Sequence, residues 1–419
     1  MTSTRTDEPA RRPAREPARR PPAAEAGSRV LDLDVVRGVA IVLALGWHFS
    51  RHPSGFPVLD ALQWPGGTFG WAGVDLFFVL SGFLVGSLVL RERRRTGRFD
   101  GRRFTVRRAL KLWPVLYLFL AVQLLAGSVP WDDLWHNALH VQNYLGTPVV
   151  HLWSLAVEEH FYLALVVLFP LVTRWSRSVR PFAALLCGVL VAALALRVWG
   201  TAAGLHEVTL QWRTHFRADS LAFGVLLAVV AVHRPATFDR LLTRRRLWAV
   251  LTLLGVAWLA TIGKDGALGS TLGYTVAYLT AGAFLLLLHR APLVARVPAV
   301  SAPLAALGRY SYGVYIWHIA AAQFVLGRLP GVEYASWTPL EQVLKYAAAV
   351  AVGIAATLLV ERPVLRVRDR LLPADGRRAD TEAPTSGWGD GPAHPVPRHR
   401  AEGPALPLVP ERDPVLALR

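Results

Sequence analysis

Three stretches of the chain place ionisable side chains inside runs that are otherwise apolar. The first is Leu33-Asp34-Val35-Val36-Arg37-Gly38, which continues to Trp47-His48. On a helix, Arg37 and His48 lie about three turns apart on one face, roughly 16 Å along the axis. Asp34 precedes Arg37 by one turn and is placed to pair with it. The second stretch is His151-Leu152-Trp153-Ser154-Leu155-Ala156-Val157-Glu158-Glu159-His160-Phe161-Tyr162. His151, Ser154, Glu158 and Tyr162 share one helix face, and Glu159 points about 100° away. The third is Gly308-Arg309-Tyr310-Ser311-Tyr312-Gly313-Val314-Tyr315-Ile316-Trp317-His318, where Ser311, Tyr315 and His318 share a face. An ionisable group at the centre of a bilayer costs about 2.5–3.5 kcal/mol on insertion scales, so each is a candidate functional group.

Each stretch also has a purely structural reading. Arg37 can snorkel to the headgroups while His48 anchors the far end of its helix. Glu158 and Glu159 can belong to an internal ion pair that fixes helix packing, and the third stretch can be a polar seam between helices. Adjacent carboxylates inside an apolar helix need a cation, an imidazole or water beside them. Two further positions are weaker. Asp75 lies in Gly73-Val74-Asp75-Leu76-Phe77-Phe78-Val79-Leu80-Ser81-Gly82, where Ser81-Gly82 would allow close helix approach. Arg217 and Asp219 read as a local pair.

The elements that must hold these residues follow from composition. The chain has 419 residues, 53% hydrophobic and only 18% charged, with a formal net charge of +17. Ten apolar stretches occur, at about 31–50, 70–90, 105–126, 151–173, 182–199, 217–232, 247–263, 270–289, 303–327 and 341–361. Most reach the ~20 residues that cross a bilayer core as a helix. Of the 46 Lys and Arg residues, 36 fall in alternate connections and the two ends, and only 5 fall in the opposite connections. That asymmetry is a positive-inside signal. The expected fold is therefore all-α, a polytopic membrane bundle of about ten transmembrane helices with both termini cytoplasmic. The charge marks topology and gives no sign of a nucleic-acid partner. Residues 1–29 read as a disordered basic tail, 30–365 as the membrane domain, and 366–419 as a second, Pro/Arg-rich tail. The first apolar run lacks the layout of a cleaved signal peptide and reads as a retained helix.

Cys187 is the single cysteine, so a multi-cysteine zinc site and an internal disulfide are excluded. The sequence holds no P-loop, dinucleotide-binding glycine pattern, HExxH or GxSxG. With both tails read as disordered, any chemistry is expected within the helical bundle.

In order along about 31–362, four segments resemble acyltransferase family 3, the integral-membrane O-acyltransferases. Leu33 to His48 is similar to the family's Arg-x10-His motif, Gly73 to Phe83 to its GVDLFFVLSGF segment, Trp153 to Tyr162 to WSLxVEExFY, and Ser311 to His318 to SYxxYLxH. The chain departs where the family shows Arg-x-x-Arg before a proline. Here Arg108-Ala109-Leu110-Lys111 precedes Pro114, and Lys keeps the charge without the bidentate fork. His160 stands where Gln is usual.

The resemblance implies transfer of an acyl group, commonly acetyl, from acyl-CoA to a hydroxyl on a sugar, an envelope polysaccharide or a glycosylated metabolite. Some members carry a fused extracytoplasmic esterase-like domain; none is expected here, which weakens a two-domain relay. A sugar hydroxyl needs a base, and His48 titrates in the right range. Glu158 and Glu159 complete the expected catalytic set, with Glu158 orienting His48 as an acid does in a hydrolase triad. Arg37, Arg108 and Lys111 are expected to hold the CoA phosphates. Asp75, Ser154, Tyr315 and His318 are expected at the acceptor. No metal is required, because the thioester is already activated. The expected setting is the plasma membrane, with the lipid bilayer, acyl-CoA and a glycan-type acceptor as partners. A transporter using the same buried charges is the rival class, but the internal repeat usual in transporters is not visible, since neither the Arg37–His48 nor the Glu158–Glu159 pattern recurs in the second half.

Overall fold

A computed structural model of the chain describes residues 23–50, 52–174, 178–327 and 338–372. Among these residues the regular elements are helical. The first half holds α1 (Ala23–Phe49), α2 (Pro57–Phe69), α3 (Gly73–Thr96) and α4 (Gly101–Leu125), then the short α5 (Trp131–Ala138) and α6 (Gln142–Leu145), and α7 (Trp153–Thr173). Next come α8 (Arg180–Ala202), α9 (Glu207–Trp212), α10 (Thr214–His233), α11 (Pro235–Thr243) and α12 (Arg245–Ile262). The remainder is α13 (Gly266–Leu268), α14 (Tyr274–Leu288), α15 (Pro292–Arg296), α16 (Pro298–Arg309), α17 (Ser311–Leu326), α18 (Pro339–Ala356) and α19 (Arg362–Leu371).

Local signals account for several boundaries. Asp100 caps α4 by accepting from the Arg103 amide at 2.9 Å. Gly97, at φ +79°, closes α3 in the left-handed conformation that glycine adopts without strain. Thr338 and Glu341 form a reciprocal capping box at the start of α18, where Pro339 takes the first helical position.

Eight helical stretches among the described residues are long and apolar enough to cross a membrane: 57–96, 101–125, 150–173, 180–202, 207–233, 245–262, 266–288 and 339–371. The shortest expected crossing, 217–232, lies within α10, which starts earlier, at Thr214. The expected crossing at 303–327 is divided at Tyr310, whose φ of −104° and ψ of 4° end α16 and begin α17. Two boundaries move. α1 begins at Ala23, ahead of the expected edge at residue 30, in a segment rich in the strong helix formers Ala, Glu and Arg. α19 continues to Leu371, past the expected edge at 365, with Leu and Arg again favouring helix. The expected tails at 1–22 and 373–419 lie outside the described residues.

Close crossings of small residues lock the bundle. A Cβ on Gly82 of α3 would stand 2.1 Å from the Leu221 carbonyl oxygen of α10, and Gly224 approaches from the other side. A Cβ on Gly308 of α16 would meet the Asp34 carbonyl oxygen of α1 at 1.9 Å. Contacts this tight leave room only for glycine, as in other membrane helix pairs.

A second tie between helices is electrostatic. Arg217 of α10 donates to Asp75 of α3 at 2.6 Å, and the Ser220 hydroxyl donates to the same oxygen at 2.7 Å. Arg197 of α8 donates to Asp219 at 2.7 Å, and also to the Phe216 and Thr271 carbonyls and the Thr275 hydroxyl. The Arg217 guanidinium lies 3.8 Å from the Tyr274 ring centroid. The expected Arg217–Asp219 pair is thus corrected. Residues two apart on a helix point to different sides, and each finds its partner on a different neighbouring helix.

Candidate functional site

The site is built by α1, α4, α7, α17 and the end of α18, in two linked clusters. The first contains the carboxylates. Glu158 on α7 accepts from Arg108 on α4 at 3.1 Å, with the two side chains 12% and 16% exposed. The Arg108 guanidinium also lies 3.5 Å from the centroid of the Tyr162 ring, one helical turn beyond Glu158. Ser81 of α3 and Tyr162 face the same carboxylate, and Lys111 lies within its electrostatic reach. Glu159 is turned aside, under the influence of Arg108 and Glu158, and its Oε1 has no hydrogen-bond partner among the described residues.

Lys111 gathers the inner part of this cluster. Arg37, Arg108, Glu361 and Arg368 all act on it electrostatically. Arg37 is itself anchored by Asp34 at 2.9 Å, the one-turn pair expected from the sequence. Arg37, Arg108 and Lys111, expected to act together, are therefore brought together, with two carboxylates beside them. Glu361 was not among the residues expected at the site. It closes a π-helical turn, Thr357–Glu361, an irregularity that often marks functional sites.

The second cluster holds imidazoles. His48, half-buried at the end of α1, lies 5.0 Å from His318 of α17 between ring centroids. His318 lies 4.8 Å from His151, just before α7. His318 Nδ1 donates to the Tyr315 carbonyl at 2.7 Å, and His151 Nε2 donates to the Ile316 carbonyl at 3.0 Å. A carbonyl only accepts, so both tautomers are fixed. The Tyr315 hydroxyl meets the His151 carbonyl at 2.6 Å and the Ser154 hydroxyl at 2.7 Å. Ser154 is one turn from Glu158 on α7, about 6 Å along the axis, which links the clusters.

Most expected site residues fall within this region, with two changes of partner. The carboxylate of Glu158 is engaged by Arg108, whereas the ring beside His48 is the imidazole of His318. A residue one turn below Ser154 naturally meets α4, which carries the basic pair. Asp75, expected at the acceptor, is fully buried; its Oδ1 accepts from Arg217 and Ser220, and its Oδ2 has no hydrogen-bond partner among the described residues. Its place before Leu76-Phe77-Phe78 gave no sign of the arginine waiting on α10. Ser154, Tyr315 and His318 are also buried and form the wall behind His48.

Residues 30–362 match the family model described as an acyltransferase domain, which defines acyltransferase family 3. The chain belongs to this family. Among curated proteins, it is similar to O-acetyltransferase OatA of Staphylococcus aureus (strain NCTC 8325 / PS 47). The two are 26% identical over 342 residues, which cover 72% of this chain and 53% of that protein. It is also similar to peptidoglycan O-acetyltransferase OatA of Listeria monocytogenes, with 24% identity over 370 residues, 80% of this chain and 56% of the relative. The chain thus spans about half the length of these family members. No solved structure matches it.

Proposed function

We propose that the chain is an integral-membrane O-acyltransferase that moves an acyl group, acetyl in the first instance, from acyl-CoA to a hydroxyl of a sugar or glycosylated compound. The observation that carries this reading is the sequence of groups through the bundle. A cluster of Arg37, Arg108 and Lys111 lies beside Glu158, and Ser154, one helical turn beyond it, joins through Tyr315 the polar side chains that back a half-buried imidazole. On the positive-inside reading the cation cluster faces the cytoplasm, where CoA is found. Guanidinium and ammonium groups suit its phosphates. An extended pantetheine arm then spans the roughly 16 Å from Arg37 to His48.

In the reaction, His48 takes the proton of the acceptor hydroxyl as its oxygen attacks the thioester carbon. The new ester C–O bond forms, the C–S bond breaks, and the electron pair stays on sulfur. The CoA thiolate then receives the proton from His48. Glu158 holds Arg108 in place through their ion pair, and Glu159 offers an unpartnered oxygen to a hydroxyl of the acceptor. The names of the relatives favour an envelope glycan, so muropeptides head the list of acceptors to try, followed by glycosylated metabolites.

The test uses the purified protein in lipid with labelled acetyl-CoA and these acceptors. Label in an alkali-labile ester on the acceptor supports the proposal. Movement of the acceptor across vesicles without acylation overturns it in favour of transport.

A further inference from the structure

The inward stripe of α18 begins with an amide that has no partner among the described residues. Gln342, Tyr346, Ala349 and Gly353 follow a 4-3-4 spacing, which is one helix face. The last three show where that face points. A Cβ on Gly353 would collide with Val314 of α17, and Ala349 is fully buried in the core that holds Phe49 and Val314. Tyr346 packs edge-on against Phe49 of α1 at 5.3 Å, with its hydroxyl 2.6 Å from that of Ser50. Phe49 in turn lies 5.7 Å from His318. Gln342 comes one turn before Tyr346, about 6 Å along the axis. It is fully buried, and neither its Oε1 nor its Nε2 has a hydrogen-bond partner among the described residues. A buried amide unpaired at both ends is costly and calls for a partner.

The chemistry of that partner follows from the amide. Nε2 offers hydrogens and Oε1 offers lone pairs, so the partner must both accept and donate. A hydroxyl does both. A thioester carbonyl only accepts and would leave Oε1 unmet. Position narrows the choice further. Glu361, at the other end of the same helical run, acts electrostatically on Lys111. Gln342 therefore lies about 28 Å along the axis from the cation cluster, one turn past the level of Ser50. Ser50 and Tyr346 are half-buried, so an acceptor reaches this level of the bundle from outside. We infer that Gln342 is an acceptor-binding residue, whose amide holds a hydroxyl of the sugar other than the one that is acylated. This rests on the acyltransferase reading above and gives the acceptor a recognised feature, a second hydroxyl.

Gln342→Met keeps the length of the side chain and removes both amide functions. Acetyl transfer is measured in lipid with labelled acetyl-CoA and a muropeptide or glycosylated metabolite, each substrate varied in turn, with thermal melting followed alongside. The inference expects KM for the acceptor to rise about tenfold or more while KM for acetyl-CoA stays unmoved. The melting temperature should hold or rise, because the amide removed had no partner to lose. Gln342→Leu, of similar volume, should repeat the pattern and serves if the Met variant does not assemble. An unmoved KM for the acceptor in these variants overturns the inference, and with a lowered melting temperature it makes the amide structural. A rise confined to KM for acetyl-CoA also overturns it, by placing Gln342 on the pantetheine arm. No transfer by the unsubstituted protein to any of these acceptors would instead count against the acyltransferase reading and remove this inference with it.

Discussion

The bundle buries charge in two regions, and they are built differently. Between α3, α8 and α10, Arg197, Arg217, Asp75 and Asp219 form a neutral set, with side chains at most 1% exposed. Hydroxyls, carbonyls and aromatic faces take up most of the remaining valences. Between α4, α7 and the end of α18, Arg108, Lys111, Arg37, Glu158 and Glu361 sit near one another, with Asp34 and Glu159 beside them, and Arg108 and Glu158 remain partly exposed. In the first region each charge faces an opposite charge, and of these four side chains only Asp75 Oδ2 and Arg217 Nε lack a hydrogen-bond partner among the described residues. The second has partly exposed charges and an unpartnered carboxylate oxygen at Glu159. What separates the two regions is therefore exposure: the second keeps charged side chains that a ligand can reach.

The comparison breaks most readily at Arg217. Arg217→Met should leave Asp75 buried without its partner and cost about 3–5 kcal/mol of stability. The double substitution with Asp75→Leu should restore part of the loss, as read by unfolding in detergent. If Arg217→Met melts like the parent and impairs only transfer, the closed region is functional after all.

Glu158→Gln addresses the open region. Transfer should fall by about 10²-fold, a loss near 2.7 kcal/mol in transition-state terms, while the melting temperature changes little. A fall in stability matching that of Arg217→Met would make the two regions alike.

Smaller effects sharpen the contrast. Gly82→Ala forces a methyl group onto the Leu221 carbonyl and should destabilise by about 1–3 kcal/mol with the kinetics of the surviving protein unchanged. Arg108→Lys keeps the charge and loses the fork over Glu158 and Tyr162. It should raise KM for acyl-CoA by about tenfold with kcat retained. A purely structural Arg108 would show the reverse pattern, with stability lost and KM unmoved.

The sequence makes much of this legible, because lipid imposes simple rules. Apolar length locates the crossings, and the Asp34–Arg37 pair follows from one helical turn. The grouping of Arg37, Arg108 and Lys111 follows from their shared end of the bundle. What remains hidden depends on which helices adjoin. Asp75 and Arg217 are 142 residues apart, and only the packing of α3 on α10 joins them. The pairing of His48 with His318 has the same origin, since it needs α17 beside α1. The analogy with a hydrolase triad pairs Glu158 with His48, yet α4 adjoins that turn of α7 and supplies Arg108. Helix periodicity gives the face, and contact order across the bundle decides the partner.

The central claim is that the half-buried imidazole of His48 takes the acceptor's proton in an acyl-CoA-dependent transfer. The most direct measurement is label transfer from acetyl-CoA to a muropeptide or glycosylated acceptor by His48→Ala beside the unsubstituted protein, both in lipid and both shown to bind CoA. The account expects transfer by the parent and a loss of at least about 10²-fold in the variant with CoA binding retained. Undiminished transfer by His48→Ala would contradict it.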